Sequence, residues 1–165
     1  MSISRTIARG AAAGAIGTLT MDLLWYARYR RGGGEHSFPE WEITRDVKDW
    51  SEAPAPGQMA RKVLEGVTGR EVPVERAAAI SNAMHWSYGV VWATTYSVVT
   101  KATGRRWWTG ALFGATVWAS DYVILPLAGV YEPIWRYDLG TLWQDLSAHG
   151  LYGTATDAIL RGLGG

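Results

Sequence analysis

Residues 107–131 read WWTGALFGATVWASDYVILPLAGVY. Between Arg106 and Glu132 the chain carries one charge, Asp121. A helix that spans a bilayer needs about 20 predominantly apolar residues, and this stretch supplies them. Three other segments have the same character: about 9–27, RGAAAGAIGTLTMDLLWYA; about 77–100, AAAISNAMHWSYGVVWATTYSVVT; and about 139–161, LGTLWQDLSAHGLYGTATDAILR. The last holds Gln144, Asp145, His149 and Asp157. It suits a membrane only if the others shield it, because intramembrane polar groups face a protein interior. The expected fold is all-α: an integral membrane four-helix bundle, with residues 1–165 as one transmembrane domain.

The composition agrees. The chain has 10 Trp, 8 Tyr and 20 Gly but only 2 Phe. Trp and Tyr favour membrane interfaces, and Gly is commoner in membrane helices than in soluble ones. Sixteen basic residues against 15 acidic ones give no argument for nucleic acid. With no Cys, disulfides and thiolate metal sites are excluded. Charge is concentrated in residues 28–76, with nine basic and nine acidic residues. A mean hydropathy of −0.05 averages that segment with the apolar ones.

The start of the chain mimics a signal peptide, but Asp22 interrupts the apolar run and the A-x-A matches precede it. It reads as a retained first helix. Arg5 and Arg9, then Lys101, Arg105 and Arg106, then Arg161 put both termini and the turn between the second and third helices in the cytoplasm. Tyr29-Arg30-Arg31 on the other side runs against that rule. The 28–76 connection is then extracytoplasmic. Its early part, RGGGEHSFPEWE, reads as irregular. At 57–69, GQMARKVLEGVTG puts Met59, Val63, Leu64 and Val67 on one helical face. Such a helix lies on the membrane surface or caps the bundle.

The chain also repeats itself. Residues 10–15 are GAAAGA and residues 110–115 are GALFGA. Each contains the G-x-x-x-G that lets helix backbones approach closely. Each of these helices then carries one Asp, Asp22 or Asp121. The second and fourth helices carry HWSYG at 85–89 and HGLYG at 149–153. The chain thus reads as two parallel helical-hairpin repeats about an axis normal to the membrane. At ~1.5 Å per residue, both Asp lie roughly 20 Å from the cytoplasmic edge, and His85 lies roughly 13 Å from the other. In a core ~30 Å thick these levels nearly coincide.

That layer admits several readings. Each Asp can accept from a His in a clamp that fixes helix register. Asp145 and His149 also have the spacing of a pair within one helix. His85, His149, Asp22 and Asp121 can ligate a divalent metal such as Zn, Fe or Mn. His85 and His149 can be axial ligands of a b-type haem, with Tyr88 and Tyr152 beside it and Gly89 and Gly153 making room. The layer can also move protons or ions. His36 reads as solvated. Pro126 is expected to kink the third helix near its outer end. Trp25, Trp107, Trp108, Trp135 and Trp143 read as interface anchors.

Three function classes follow. One is an accessory or scaffold subunit packing through G-x-x-x-G faces against other membrane chains or its own copies. The second is a metal- or haem-binding membrane protein. The third is a proton-linked transporter. An enzyme is least favoured, because no nucleophile–base pair, phosphate loop or usefully spaced carboxylate pair is present.

The two HxxYG motifs, the G-A-x-x-G-A helix starts and the LPLAGVYEP-W-Y connection resemble the uncharacterised YagU-like family of small bacterial inner-membrane proteins. The resemblance covers roughly residues 57–161, and the first helix more loosely. It implies a four-helix protein of the inner (cytoplasmic) membrane and supplies no agreed reaction, substrate or cofactor.

Overall fold

The computed structural model describes residues 2–43 and 47–164; the stretch 44–46 of the long connection lies outside the described residues. Among these residues all regular structure is helical. Four helices are long: α1 (Ile3–Arg31), α4 (Ala77–Thr103), α5 (Thr109–Leu127) and α6 (Leu139–Gly162). Two shorter ones, α2 (Phe38–Ile43) and α3 (Ala55–Thr68), lie in the connection.

Local chemistry sets the boundaries. The Ser2 hydroxyl accepts from the Arg5 amide at the start of α1, and Arg28, Arg30 and Arg31 sit at its negative C-terminal end. α2 falls where irregular chain was expected. Its signal is a capping box, Ser37-x-x-Glu40: the Ser37 amide and hydroxyl both donate to Glu40 Oε2, at 2.8 and 2.7 Å. Pro126 sits in the last turn of α5, and the helix stops at Leu127. Gly129 at φ 65° then lets the amides of Val130 and Tyr131 turn back onto Leu125 O.

α6 begins at Asp138, whose carboxylate accepts from the Thr141 hydroxyl and amide at 2.7 and 3.0 Å. Those bonds, the hydroxyl's first, hold its carboxyl below the usual range. The cap's contribution is therefore present above the ordinary carboxylate pKa and is lost as pH falls through the lowered one. Asp138→Ala is expected to lower the melting temperature at neutral pH, and Asp138→Ser to restore most of the loss, as read by circular dichroism.

α1 packs along α4 on one side and α6 on the other, and α5 packs on α6. Tyr96 of α4 stacks on Phe113 of α5, centroids 4.3 Å apart, across the wider gap between those helices. Ala13, Met21, Ala93, Val117, Ala148, Tyr152 and Leu160 complete the core. The Arg9 guanidinium donates to Gly164 O and that of Arg161 to Arg106 O. The start of the chain, its end and the α4–α5 turn therefore share one end of the structure. The connection gathers at the other. There α3 docks on α4 through Gly57 and Ala60, beside a small second core of Trp50, Ala53 and Ala77. Docking leaves Val63, Leu64 and Val67 of the apolar face of α3 exposed.

α1 turns mostly small and polar residues inward and aliphatic ones outward. α1 buries Thr6, Gly10, Ala13, Gly14, Gly17, Thr18, Met21 and Asp22. It exposes Ile3, Ile7, Ile16, Leu19 and Leu23. α5 is the one described helix long and apolar enough to cross a membrane, and 28% of its apolar window is buried. The expectation was four such segments. α1, α4 and α6 fall short because small and polar residues, inward and outward, lower their hydropathy.

Candidate ligand cavity

At the end of the structure where the connection gathers, a cavity of about 670 Å³ opens between the long helices. All six residues singled out from the sequence, Asp22, His85, Tyr88, Asp121, His149 and Tyr152, line it.

They meet as two pairs. His85 Nε2 of α4 lies 2.8 Å from Asp22 Oδ1 of α1. His149 Nε2 of α6 lies 3.2 Å from Asp121 Oδ2 of α5. His149 Nδ1 faces the Asp145 backbone carbonyl at 2.8 Å. The i,i+4 spacing thus joins His149 to the Asp145 backbone; the Asp145 carboxylate takes the Tyr122 hydroxyl at 2.6 Å.

The tyrosines diverge. The Tyr88 hydroxyl donates to Asp121 Oδ1 at 2.8 Å and so ties α4 to α5. The Tyr152 hydroxyl donates instead to Gly89 O, at 2.5 Å. Asp121 therefore holds a partner on each oxygen. Asp22 Oδ2 is buried without one, as is the Thr18 hydroxyl one turn below it on the same wall.

Residues that sequence reasoning did not assign to the site complete the wall. The Arg28 guanidinium donates to Gln144 O and Ser147 Oγ and lies 4.7 Å from the Trp25 ring centroid. Trp25 is thus part of the cavity, whereas Trp107, Trp135 and Trp143 are exposed near helix ends. Glu42 of α2 joins the wall and accepts from Asn82 Nδ2 and Trp86 Nε1, both at 2.9 Å. Burial pushes the Tyr131 phenol above its usual range, so it meets the cavity as a neutral hydroxyl. His36 is exposed and stacks on Tyr29.

A second polar group lies at the opposite end. Asp157 of α6 is buried and contacts Arg161 at 2.7 Å, Arg105 at 3.7 Å and the Tyr96 hydroxyl at 2.8 Å. The i,i+4 spacing of Asp157 and Arg161 was a readable sign of it.

Among the described residues no three His, Cys, Asp or Glu side chains converge as a metal site. The four candidate ligands form two separate Asp–His pairs, and each Nε2 that would face a metal or a haem iron is already on a carboxylate. Such pairs orient the imidazoles and can take up and release protons. Compared with protein-family models, curated proteins and solved structures, this chain finds no match.

Proposed function

We propose that this chain is a proton-linked membrane transporter, taking a small ligand into the cavity and coupling its occupancy to protons on the two Asp–His pairs. The observation that carries this reading is that one cavity has both pairs on its wall. α1, α4, α5 and α6 are taken as four spans of a bacterial inner membrane, as the YagU-like resemblance implies, with both termini cytoplasmic. The outward Ile and Leu residues of α1 and the largely unburied α5 support spanning. The shared end of Arg5, Arg9, Lys101, Arg105, Arg106 and Arg161 suits the cytoplasmic side.

The two halves are read as hairpins of one design, α1–α4 and α5–α6, each with an Asp–His pair. Their departures from symmetry have a local cause. Where α1 has Ala13 and Gly17, α5 has Phe113 and Val117 at an offset of 100. A Cβ on Gly17 would strike Thr156 and Tyr152 of α6, so this face of α1 accepts a close neighbour. The bulkier Phe113 stacks on Tyr96 and holds α4 away from α5. The tight α1–α6 contact brings Tyr152 to Gly89 O and leaves Asp22 Oδ2 free.

The scaffold reading loses its main support, because the G-x-x-x-G faces are used internally. A Cβ on Gly14 would come within 2.7 Å of Ala93, and one on Gly114 would strike the His149 backbone. The exposed apolar surface remains available to lipid, to other membrane subunits or to a second copy.

The test is a pH jump from about pH 8 to about pH 5.5 on proteoliposomes adsorbed to a solid-supported electrode, a range that brackets the ordinary histidine pKa. The wild type is expected to give a transient charge displacement that His85→Gln/His149→Gln abolishes. A wild-type response no larger than that of protein-free liposomes would overturn proton handling and favour the scaffold.

A further inference from the structure

The charge on the cavity wall is one-sided. Among the described residues, four carboxylates, Asp22, Glu42, Asp121 and Asp145, face it against one guanidinium, Arg28. Arg28 is committed to Gln144, Ser147 and the Trp25 ring. Glu42, Asp121 and Asp145 each accept from neighbouring side chains. Asp22 differs: its side chain is 6% exposed and its Oδ2 accepts from nothing. A buried carboxylate oxygen left so is costly and calls for a donor. The same cavity is lined by the aromatic residues Trp25, Tyr29, Trp41, Tyr88, Tyr131 and Tyr152. Aromatic faces attract cations and accept apolar bodies.

We infer that the cavity binds a small organic ammonium ion with an apolar body, its N–H on Asp22 Oδ2 and its carbon frame against the rings. The inference rests on the cavity being the ligand site proposed above. Among the described residues an anion lacks an uncommitted basic partner on the cavity wall. A metal ion lacks a converging third ligand. A neutral apolar molecule would leave Asp22 Oδ2 without a donor.

Phenethylammonium is a suitable probe, titrated into the full chain in detergent and read by fluorescence, since Trp25 and Trp41 line the cavity. Saturable binding is expected, weakened at least about tenfold by Asp22→Asn, because an ion pair with the ammonium becomes an ion–dipole contact. Phenethyl alcohol at equal concentration is expected not to compete. Unchanged affinity in Asp22→Asn, equal competition by the alcohol, or no saturable binding by the wild type would each overturn the inference. Should Asp22→Asn fail to fold, the competition with the alcohol decides on wild-type protein alone. A pH-jump response without phenethylammonium binding sinks this inference and leaves the proton reading standing; binding without the response does the reverse.

Discussion

Gly153→Val is expected to unfold or severely destabilise the protein, while Gly150→Ala, one turn away in the same helix, leaves it folded and slightly more stable. A Cβ on Gly153 would strike Gly110 O and Gly114 N and reach 2.8 Å from Gly114 Cα. These are backbone atoms, which have no rotamer to change. Overpacking a core typically costs ~1–3 kcal/mol, and a clash with rigid backbone belongs at the top of that range or beyond it. α5 must then move off α6, taking Asp121 away from His149. A Cβ on Gly150 meets nothing within 4 Å. There alanine gains only the backbone entropy that glycine gives up in a helix, ~0.5–1 kcal/mol. Melting curves in detergent separate the two. Gly153→Val melting with the wild type would mean that α5 and α6 do not pack through these glycines.

Asp157→Ala is expected to be the most damaging change among the charged residues. Asp157 is 5% exposed, and the Arg105 side chain beside it is 9% exposed. Removing the carboxylate leaves a buried guanidinium without its counter-charge and takes one of the two partners of the Tyr96 hydroxyl, which keeps Thr109 Oγ1. Breaking a buried pair from one side costs ~3–5 kcal/mol. Arg161→Ala should cost far less, about 1 kcal/mol or below, because that side chain is 43% exposed and its bond is solvent-screened. Pairing Asp157→Ala with Arg105→Ala should recover part of the loss, since the stranded charge goes with its partner. An Asp157→Ala variant as stable as Arg161→Ala would show that Arg105 does not depend on it.

Much of this arrangement was legible in the chain because it depends on spacing along helices. Counting residues from the charged ends sets Asp22 level with His85, and the structure places them in contact. Small residues at Gly10, Gly14, Gly110 and Gly114 announce close helix contacts without saying with which helix. What could not be read depends on distances between helices. That Tyr152 reaches Gly89 O while Tyr88 reaches Asp121 follows from how near α6 comes to α1, and no single helix encodes that. Glu42 joins the cavity wall through contacts to Asn82 and Trp86, about forty residues on. α2 itself was readable from Ser37-x-x-Glu40 and was obscured by the glycines before it. Arg28 could not be read as part of the wall because its partners lie on α6.

The most direct test of the central claim uses the absence of cysteine from this chain. Ser4, Ser51 and Thr103 are exposed and can each be replaced by a single Cys. Labelling with a membrane-impermeant maleimide, in intact spheroplasts and in inside-out vesicles, reports the side on which each lies. Four spans with the cavity facing outward predict that Ser51→Cys reacts in spheroplasts only, and Ser4→Cys and Thr103→Cys in inside-out vesicles only. Reaction of all three from one side, or a protein that washes off the membrane in carbonate, would contradict the account.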